Sequence, residues 1–295
     1  MTWRISVWAG AFLVFFATVV AGADSATPAA SSVAAAVQSG QSATAANIKS
    51  GEPAVAAELD RVLRRVEKAG DEVQRIECDF DYEHNAQLVD DHEWRTGRLQ
   101  YHKPNRFRIE FTDGGKEAFR FDGRVYVEDR PAQKARYVYR LRNTADPEIT
   151  DLDIDKVPFP LPFGQKRDKV LKTFSVTYGG TKELEPWSAP AGKSATAAKS
   201  DAKEYDYLDL KPKKGTSIGR DYVRIEMWID RETGLPRQIR MEDKSDRILT
   251  VRFGEARRNE LVKFDDKIFG EGQLPEKWER NYNSDQAEGR ASSAE

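Results

Sequence analysis

Apolar residues recur along this chain with two different periods, and the change from one to the other falls close to Gly70. Between positions 53 and 74 they recur at helical spacing, with charged residues on the other sides, which predicts an amphipathic helix over residues 53–74. Pro53 in the first turn and Gly70 near the end are typical of helix boundaries. The apolar stripe of this helix consists of Val55, Leu59, Val62, Leu63, Val66 and Val73.

Beyond Gly70, apolar and charged residues alternate in short runs that are separated by turn signals such as Asp113-Gly114 and Thr233-Gly234. This period of two predicts strands, and its regularity predicts an antiparallel sheet with one buried and one solvated face. The helix over 53–74 is the candidate to cover the buried face, so the expected fold class is α+β. The apolar face is predicted to contain Leu99, Tyr101, Phe107, Ile109, Phe111, Phe119, Phe121, Ile225, Met227, Ile239, Met241, Leu249, Val251 and Phe253.

A proline-spaced segment, Val157-Pro-Phe-Pro-Leu-Pro-Phe163, interrupts the strand pattern. Its prolines remove backbone donors and hold the chain extended, so it cannot be a central strand. Phe159, Leu161 and Phe163 therefore form an apolar loop. Two interpretations are open: these side chains plug one end of the core, or they form a mobile lid over an apolar cavity.

The N-terminus has the pattern of a secretory signal peptide over residues 1–23. Arg4 precedes an uncharged, mostly apolar run, and Ala21-Gly22-Ala23 follows as a small-residue cleavage site. The alternative is an uncleaved membrane anchor, because the run is nearly long enough to span a bilayer.

Three further stretches lack either period. Residues 24–52 are rich in Ala, Ser and Thr and predict a flexible spacer. Residues 187–203 are similar in composition and predict a flexible insertion between strands. Residues 284–295 predict a disordered tail. What is left, residues 53–283, is expected to form a single domain.

Composition excludes several classes of protein. Of 295 residues, 33% are charged, and the mean hydropathy of −0.69 excludes a polytopic membrane protein. The 47 Lys and Arg residues are balanced by 49 Asp and Glu, which argues against a general nucleic-acid binder. The one cysteine, Cys78, excludes an intramolecular disulfide and a cysteine zinc cage. Cys78 alternates with apolar neighbours and is expected to be a buried, inert thiol.

Catalytic and metal-binding patterns are weak. The run from Gly215 to Gly219 matches the nucleophile motif Gly-x-Ser-x-Gly around Ser217, but that chemistry needs a histidine later in the chain. His84, His92 and His102 all precede it, so a turn between strands is the preferred interpretation. The histidine spacing matches no compact zinc motif, and 90–93 is expected to be a solvated loop. We therefore predict a protein that is not an enzyme and holds no metal or cofactor.

Several segments together resemble LolA-like periplasmic lipoprotein carriers. The resemblance covers residues 53–279, whereas the spacer at 24–52 and the insertion at 187–203 go beyond the compact carrier pattern. The chain therefore looks like a divergent member of this lipoprotein-sorting family. The segments that carry the resemblance are GRLQYHKPNRFRIEF at 97–111, FDGRVYV at 121–127, IDRETGLPRQI at 229–239, and Phe264 and Phe269 ahead of Pro275.

The resemblance implies a strongly curved antiparallel sheet, an incomplete barrel, closed by an N-terminal helix and by a loop or short helix. Its concave side would be a cavity for acyl chains, lined by the fourteen apolar positions above, with Phe159, Leu161 and Phe163 as the lid. Lys103 stands where the family places a basic residue that contacts the lid, although lysine lacks the bidentate fork of arginine.

The resemblance also implies a place and partners. The chain would be a periplasmic monomer that binds an acylated lipoprotein or lipid, with an inner-membrane release complex and an outer-membrane acceptor as possible partners. Related folds also act as envelope sensors, so an interaction module with a filled core is the alternative.

Overall fold

Thirteen strands and three α-helices make up the described part of the chain. The computed structural model describes residues 52–86, 91–140, 166–184, 187, 203–216 and 218–283, which all belong to one compact unit over Asn47–Glu295. The helices are Glu52–Glu72 (α1), Arg167–Thr173 (α2) and Ile218–Asp221 (α3). The strands are Arg75–Ala86 (β1), Asp91–His102 (β2), Arg106–Phe111 (β3), Ala118–Phe121 (β4), Val125–Arg130 (β5), Ala135–Arg140 (β6), Phe174–Lys182 (β7), Tyr205–Pro212 (β8), Tyr222–Asp230 (β9), Pro236–Asp243 (β10), Arg247–Phe253 (β11), Arg257–Arg258 (β12) and Glu279–Asn283 (β13).

Some of the predicted segments lie outside the described residues. They are the signal peptide at 1–23, the spacer up to residue 51, the proline-spaced loop, the interior of the insertion at 188–202 and the tail at 284–295. The predicted helix is confirmed as α1, which ends two residues before the expected boundary. Within α1, the predicted apolar stripe is buried at Val62 and Leu63, and Ala69 is buried as well.

The strands form one large, curved antiparallel sheet that stays open within the described residues. Its order is β13-β6-β5-β4-β3-β2-β1-β11-β10-β9-β8-β7, with β12 paired to β1. All neighbours are antiparallel except β13, which runs parallel to β6. The first strand in sequence lies in the middle of the sheet, and β7 and β13 lie at its two ends. The predicted fold class is confirmed.

The face of the sheet that packs with the apolar stripe of α1 is called the inner face. Val62 and Leu63 of the helix share one hydrophobic cluster with Ile76 of β1, Leu99 of β2 and Val251 of β11. The inner face therefore extends from the first half of the sheet, which is β1 to β6 with β13, into the second half, which is β7 to β11. The opposite side is called the outer face.

The outer face is not solvated throughout, contrary to the prediction. One row of cross-strand partners runs across β8, β9, β10, β11 and β1, with each residue paired to the next, and all five of its side chains are buried. The row consists of Tyr207, Trp228, Gln238, Arg252 and Asp81. The charged or polar alternation of these strands is thus compatible with burial on both faces, because polar side chains here pair with one another. Arg252 donates from Nε to Gln238 Oε1 at 2.9 Å.

The chain after β7 supplies part of the cover of the outer face. Leu184 packs against Tyr207 and Trp228. The Trp187 ring lies 4.9 Å from the Trp94 ring, and the Arg252 guanidinium lies 4.6 Å from the Trp187 centroid. The beginning of the predicted flexible insertion is therefore packed on the sheet.

The other end of the insertion is also fixed. Lys203 Nζ lies 2.8 Å from a carboxylate oxygen of Asp230, and Asp230 also accepts from the backbone N–H of Glu232 and Thr233. Burial disfavours the ionised carboxyl of Asp230, but these hydrogen bonds outweigh it and lower its pKa. Asp230 thus links the insertion to the turn between β9 and β10.

The C-terminal segment, residues 259–283, covers part of the outer face on the side of β2 to β6. His102 Nδ1 lies 2.8 Å from Asp266 Oδ1, and Arg106 donates to Asp266 Oδ2 at 2.7 Å. Arg136, which is 2% exposed, pairs with Asp129 at 2.6 Å and donates to the Glu271 carbonyl at 2.7 Å. The outer face is therefore covered around His102 and Arg136, whereas Arg98 and Asp79 remain exposed on it.

Candidate functional site

All fourteen residues predicted to line a cavity belong to one apolar cluster on the inner face. Twelve of them are buried, and Phe119 and Met227 are half-buried. The structure thus brings together side chains from β2, β3 and β4 with side chains from β9, β10 and β11. Period-two alternation explains this outcome, because every second residue of a strand points to the same face.

The first half of the inner face is aromatic. A row of aromatic side chains crosses it from β2 to β6, with each residue the direct cross-strand partner of the next. The row consists of Tyr101, Phe107, Phe121, Tyr126 and Tyr139. The ring of Phe107 lies 5.8 Å from that of Phe121, and the rings of Tyr126 and Tyr139 are 5.7 Å apart. These distances fall in the range in which aromatic pairs attract one another.

Strand β5 is covered on both faces. Tyr126 points inward and Val127 is buried on the outer face, so apolar residues do not mark a single face of this strand. The turn at Asp122 fixes the register, since its carboxylate accepts from the N–H groups of Arg124 and Val125 at 2.8 Å.

The second half of the inner face is aliphatic. Direct partners run from Val251 through Ile239, Met227 and Leu208 to Tyr178, which crosses β11, β10, β9, β8 and β7. Leu208 and Tyr178 were absent from the predicted lining. Strand β7 alternates clearly around Tyr178, but β8 is buried on both faces, with Tyr207 on the outer face and Leu208 on the inner face. The signal that would have added them is the register, because Leu208 pairs with Met227 and Tyr178 pairs with Leu208.

Helix α1 meets the inner face through a buried ion pair. Asp206 of β8 is fully buried, and its carboxylate pairs with Arg65 of α1 and accepts from the Tyr178 hydroxyl at 3.0 Å. Arg231 lies 4.0 Å away. Desolvation lowers the pKa of Arg65. A buried pair of this kind adds little net stability but fixes how the helix lies on the sheet.

Lys103 contacts the end of α1. Its Nζ donates to the Asp71 carbonyl at 2.9 Å and lies 3.5 Å from the Gly70 carbonyl. These carbonyls belong to the last turn of the helix, which lacks intrahelical partners and carries the negative end of the helix dipole. The predicted lid residues Phe159, Leu161 and Phe163 lie outside the described residues.

The residues considered for catalysis are dispersed or buried. Burial raises the pKa of the Cys78 thiol to about 12. His92 lies 2.8 Å from Glu83, and His102 contacts the C-terminal segment. Across the described ranges, no group of three metal-ligating side chains comes together.

Two local expectations about these candidates need correction. Residues 91–93 do not form a solvated loop; they begin β2, because the β1–β2 pairing continues as far as Ala86 and Asp91. Ser217 lies outside the described residues, and the one-turn helix α3 separates it from β9, where a strand was expected to follow directly.

None of the described helices is both long and apolar enough to cross a membrane.

Comparison with known proteins gave matches among solved structures. No family model and no curated protein matches the chain. An uncharacterized conserved protein from Thermus thermophilus is 11% identical, with a TM-score of 0.44, and the match covers 76% of this chain and 99% of that one.

Two further similar structures carry descriptive names. A LolA superfamily protein from Nitrosomonas europaea is 10% identical, with a TM-score of 0.36, over 72% of this chain and 96% of that one. A chain of the MucA/MucB complex of Pseudomonas aeruginosa is 15% identical, with a TM-score of 0.38, over 71% of this chain and 62% of that one. The Nitrosomonas protein carries the name of the family that the sequence resembles.

Proposed function

We propose that this chain is a non-catalytic carrier that holds the acyl chains of a lipid or lipoprotein against the inner face of the sheet. The observation that carries the proposal is the continuity of the inner face, where fourteen apolar residues from both halves of the sheet share one cluster. Helix α1, which has 21 residues, packs on this surface. A cover of this size can move without dismantling the strands.

The energetics favour such a ligand. Burying an acyl chain gains about 0.8 kcal/mol per CH₂ group, so a chain of about 15 CH₂ groups would gain about 12 kcal/mol. That gain can offset the rearrangement of half-buried side chains such as Phe119 and Met227. We place the carrier in the periplasm, reached through the signal peptide predicted at 1–23. It would receive its cargo from an inner-membrane release complex and deliver it to an outer-membrane acceptor.

A filled core is the second candidate, and a specific observation favours it. Leu99, Ile109, Met241 and Val251 are each 0% exposed, so protein atoms already cover them. In that case the chain would be an envelope sensor or an interaction module that uses its outer surface.

One experiment separates the two candidates. The full chain is expressed with its N-terminal segment, purified from the cell envelope without detergent, and extracted for lipid mass spectrometry. A fluorescent fatty acid is then titrated into the delipidated protein. The carrier predicts co-purified acyl lipid and saturable binding of the probe.

Matched variants locate the binding. Met227→Trp adds volume to the inner face and should weaken binding of the probe, whereas Leu261→Trp, at a position that is 73% exposed, should leave it unchanged. If neither lipid nor binding is detected, the carrier proposal is wrong and the filled core is supported.

A further inference from the structure

Basic residues are concentrated at one end of the second half of the sheet, where β7 begins and β8 ends. Residues 169–173 and 211–221 contain six basic residues and one acid, Asp221, whereas the whole chain has 47 Lys and Arg against 49 Asp and Glu. All six basic residues are exposed, and together they are called the basic rim. The basic rim consists of Lys169, Lys172, Lys211, Lys213, Lys214 and Arg220.

Contacts of Lys213 hold the two segments of the basic rim together. Its backbone N–H donates to the Thr173 carbonyl at 2.9 Å, and its Nζ donates to the Leu171 carbonyl at 2.6 Å. On the other side, a Cβ on Gly219 would lie 2.9 Å from the Lys213 carbonyl oxygen, so α3 packs on the same turn. The basic residues of α2, of the end of β8 and of α3 therefore adjoin one another.

Acidic neighbours leave the charge of the basic rim largely unopposed. Among the described residues, no acidic side chain forms an ion pair with Lys172, Lys211 or Lys214. Asp209, on the strand that ends at the basic rim, already pairs with Arg224 at 2.9 Å. A concentrated positive charge on a chain with a net charge of −2 attracts an anionic surface in one orientation only.

Apolar side chains lie beside the basic rim. Val223, at the start of β9, is 42% exposed, and it lies on the same side of its strand as the inner-face residue Ile225, two positions along. Phe174 and Pro212, which are paired across β7 and β8, are only half-buried. Lysines attract anionic lipid headgroups, and neighbouring apolar side chains enter the boundary below them. An acidic protein would satisfy the charge alone, so the exposed Val223 favours a membrane.

We propose that the basic rim docks this chain onto the surface of a membrane that contains anionic phospholipids. The inference goes beyond the proposed carrier function and does not rest on it, because docking requires no acyl chain on the inner face. It assigns a role to the exposed lysines around α2 and β8 that neither the sheet pairing nor the inner-face cluster uses.

The test is cosedimentation of the purified full chain with phosphatidylcholine vesicles that contain or lack phosphatidylglycerol. Two triple variants lose the same charge, and circular dichroism verifies that both are folded. The rim variant combines Lys172→Gln, Lys211→Gln and Lys214→Gln. The control variant combines Lys134→Gln, Lys263→Gln and Lys267→Gln, at exposed lysines outside the basic rim. The apolar run at 5–20 is common to all three proteins, so it cannot produce a difference between them.

We expect the wild type to bind the anionic vesicles and to bind the neutral ones more weakly. Each basic residue near an anionic surface contributes about fivefold in affinity, so the rim variant should lose about tenfold or more, and the control variant should stay within about twofold. Raising the ionic strength from about 0.1 M to about 1 M shortens the screening length from about 10 Å to about 3 Å and should release the wild type.

Equal binding by the rim and control variants would overturn the proposal, and so would equal binding of the wild type to both kinds of vesicle. Retention on a heparin column without any vesicle binding would assign the basic rim to a polyanionic macromolecule and would also overturn it. Titration of a fluorescent fatty acid without vesicles tests the carrier function separately, so failure of one proposal leaves the other standing.

Discussion

Removing Arg65 should destabilise the protein more than removing its partner Asp206, because the two side chains differ in their access to water. The Asp206 side chain is 0% exposed and the Arg65 side chain is 21% exposed. In Arg65→Met, a buried carboxylate keeps only the Tyr178 hydroxyl at 3.0 Å and Arg231 at 4.0 Å. Losing one partner of a buried pair costs about 3–5 kcal/mol, and the remaining contacts place this case near about 3 kcal/mol.

The converse variant should cost less. In Asp206→Leu, the guanidinium of Arg65 can turn toward water through its exposed part, so we expect a loss of about 1–2 kcal/mol. The double variant with Met and Leu replaces the pair by apolar contacts and should be close to the wild type or more stable than it. For a unit of this size, each kcal/mol corresponds to about 2–4 °C in the melting temperature.

The measurement is urea unfolding of the wild type, the two single variants and the double variant, monitored by tryptophan fluorescence and circular dichroism. The double-variant cycle isolates the coupling between the two side chains. A larger loss for Asp206→Leu than for Arg65→Met, or losses that simply add in the double variant, would refute the argument that burial of the carboxylate sets the cost.

Three further predictions concern other parts of the fold. Gly97→Ala should lower the free energy of unfolding by about 1–3 kcal/mol, because a Cβ there would lie 2.3 Å from Phe80 Cζ. The control in urea unfolding is Gly115→Ala, whose Cβ would meet nothing nearer than 3.8 Å. Equal unfolding midpoints for the two variants would contradict the prediction. Lys103→Met should cost about 0.3–1 kcal/mol and speed hydrogen exchange in the last turn of α1, whereas Lys103→Arg should restore both. Because the pKa of Asp230 is lowered in the folded protein, its ionised carboxylate contributes stability above the unfolded pKa of about 3.9, and this stability is lost as the pH falls through the folded pKa. The free energy of unfolding, measured from about pH 5 to about pH 2, should therefore fall less steeply in Asp230→Asn than in the wild type. Identical slopes would count against this prediction.

The sequence could predict the helix and the inner face because each apolar pattern corresponds to one buried surface. The stripe through Val62 and Leu63 and the alternation around Ile109 both mark a single buried surface. The cross-strand contacts then follow from regular pairing. The family resemblance singled out Lys103 as a residue that contacts the lid; its described contact is with the end of α1.

The outer face could not be predicted in the same way. Gln238, Arg252 and Asp81 are residue types that usually face water, and alternation alone cannot reveal that another segment covers them. The covering residue Trp187 lies in a stretch whose composition favours a flexible loop. At β5, Tyr126 and Val127 are buried on opposite faces, so apolar residues mark neither face alone. Burial on two faces therefore explains why the cover of the outer face was missed.

The position of the C-terminal segment has a consequence for how the chain folds as it is synthesised. Strand β1 lies between β2 and β11, and Arg136 on β6 reaches its carbonyl partner only at Glu271. The first six strands can pair with one another early, but their outer face is completed only when residues beyond 257 have emerged. Contacts of such sequence separation form slowly. The nascent protein therefore exposes a partly covered sheet until residues 257–283 are made, and shortening the chain before β13 should leave a product that aggregates.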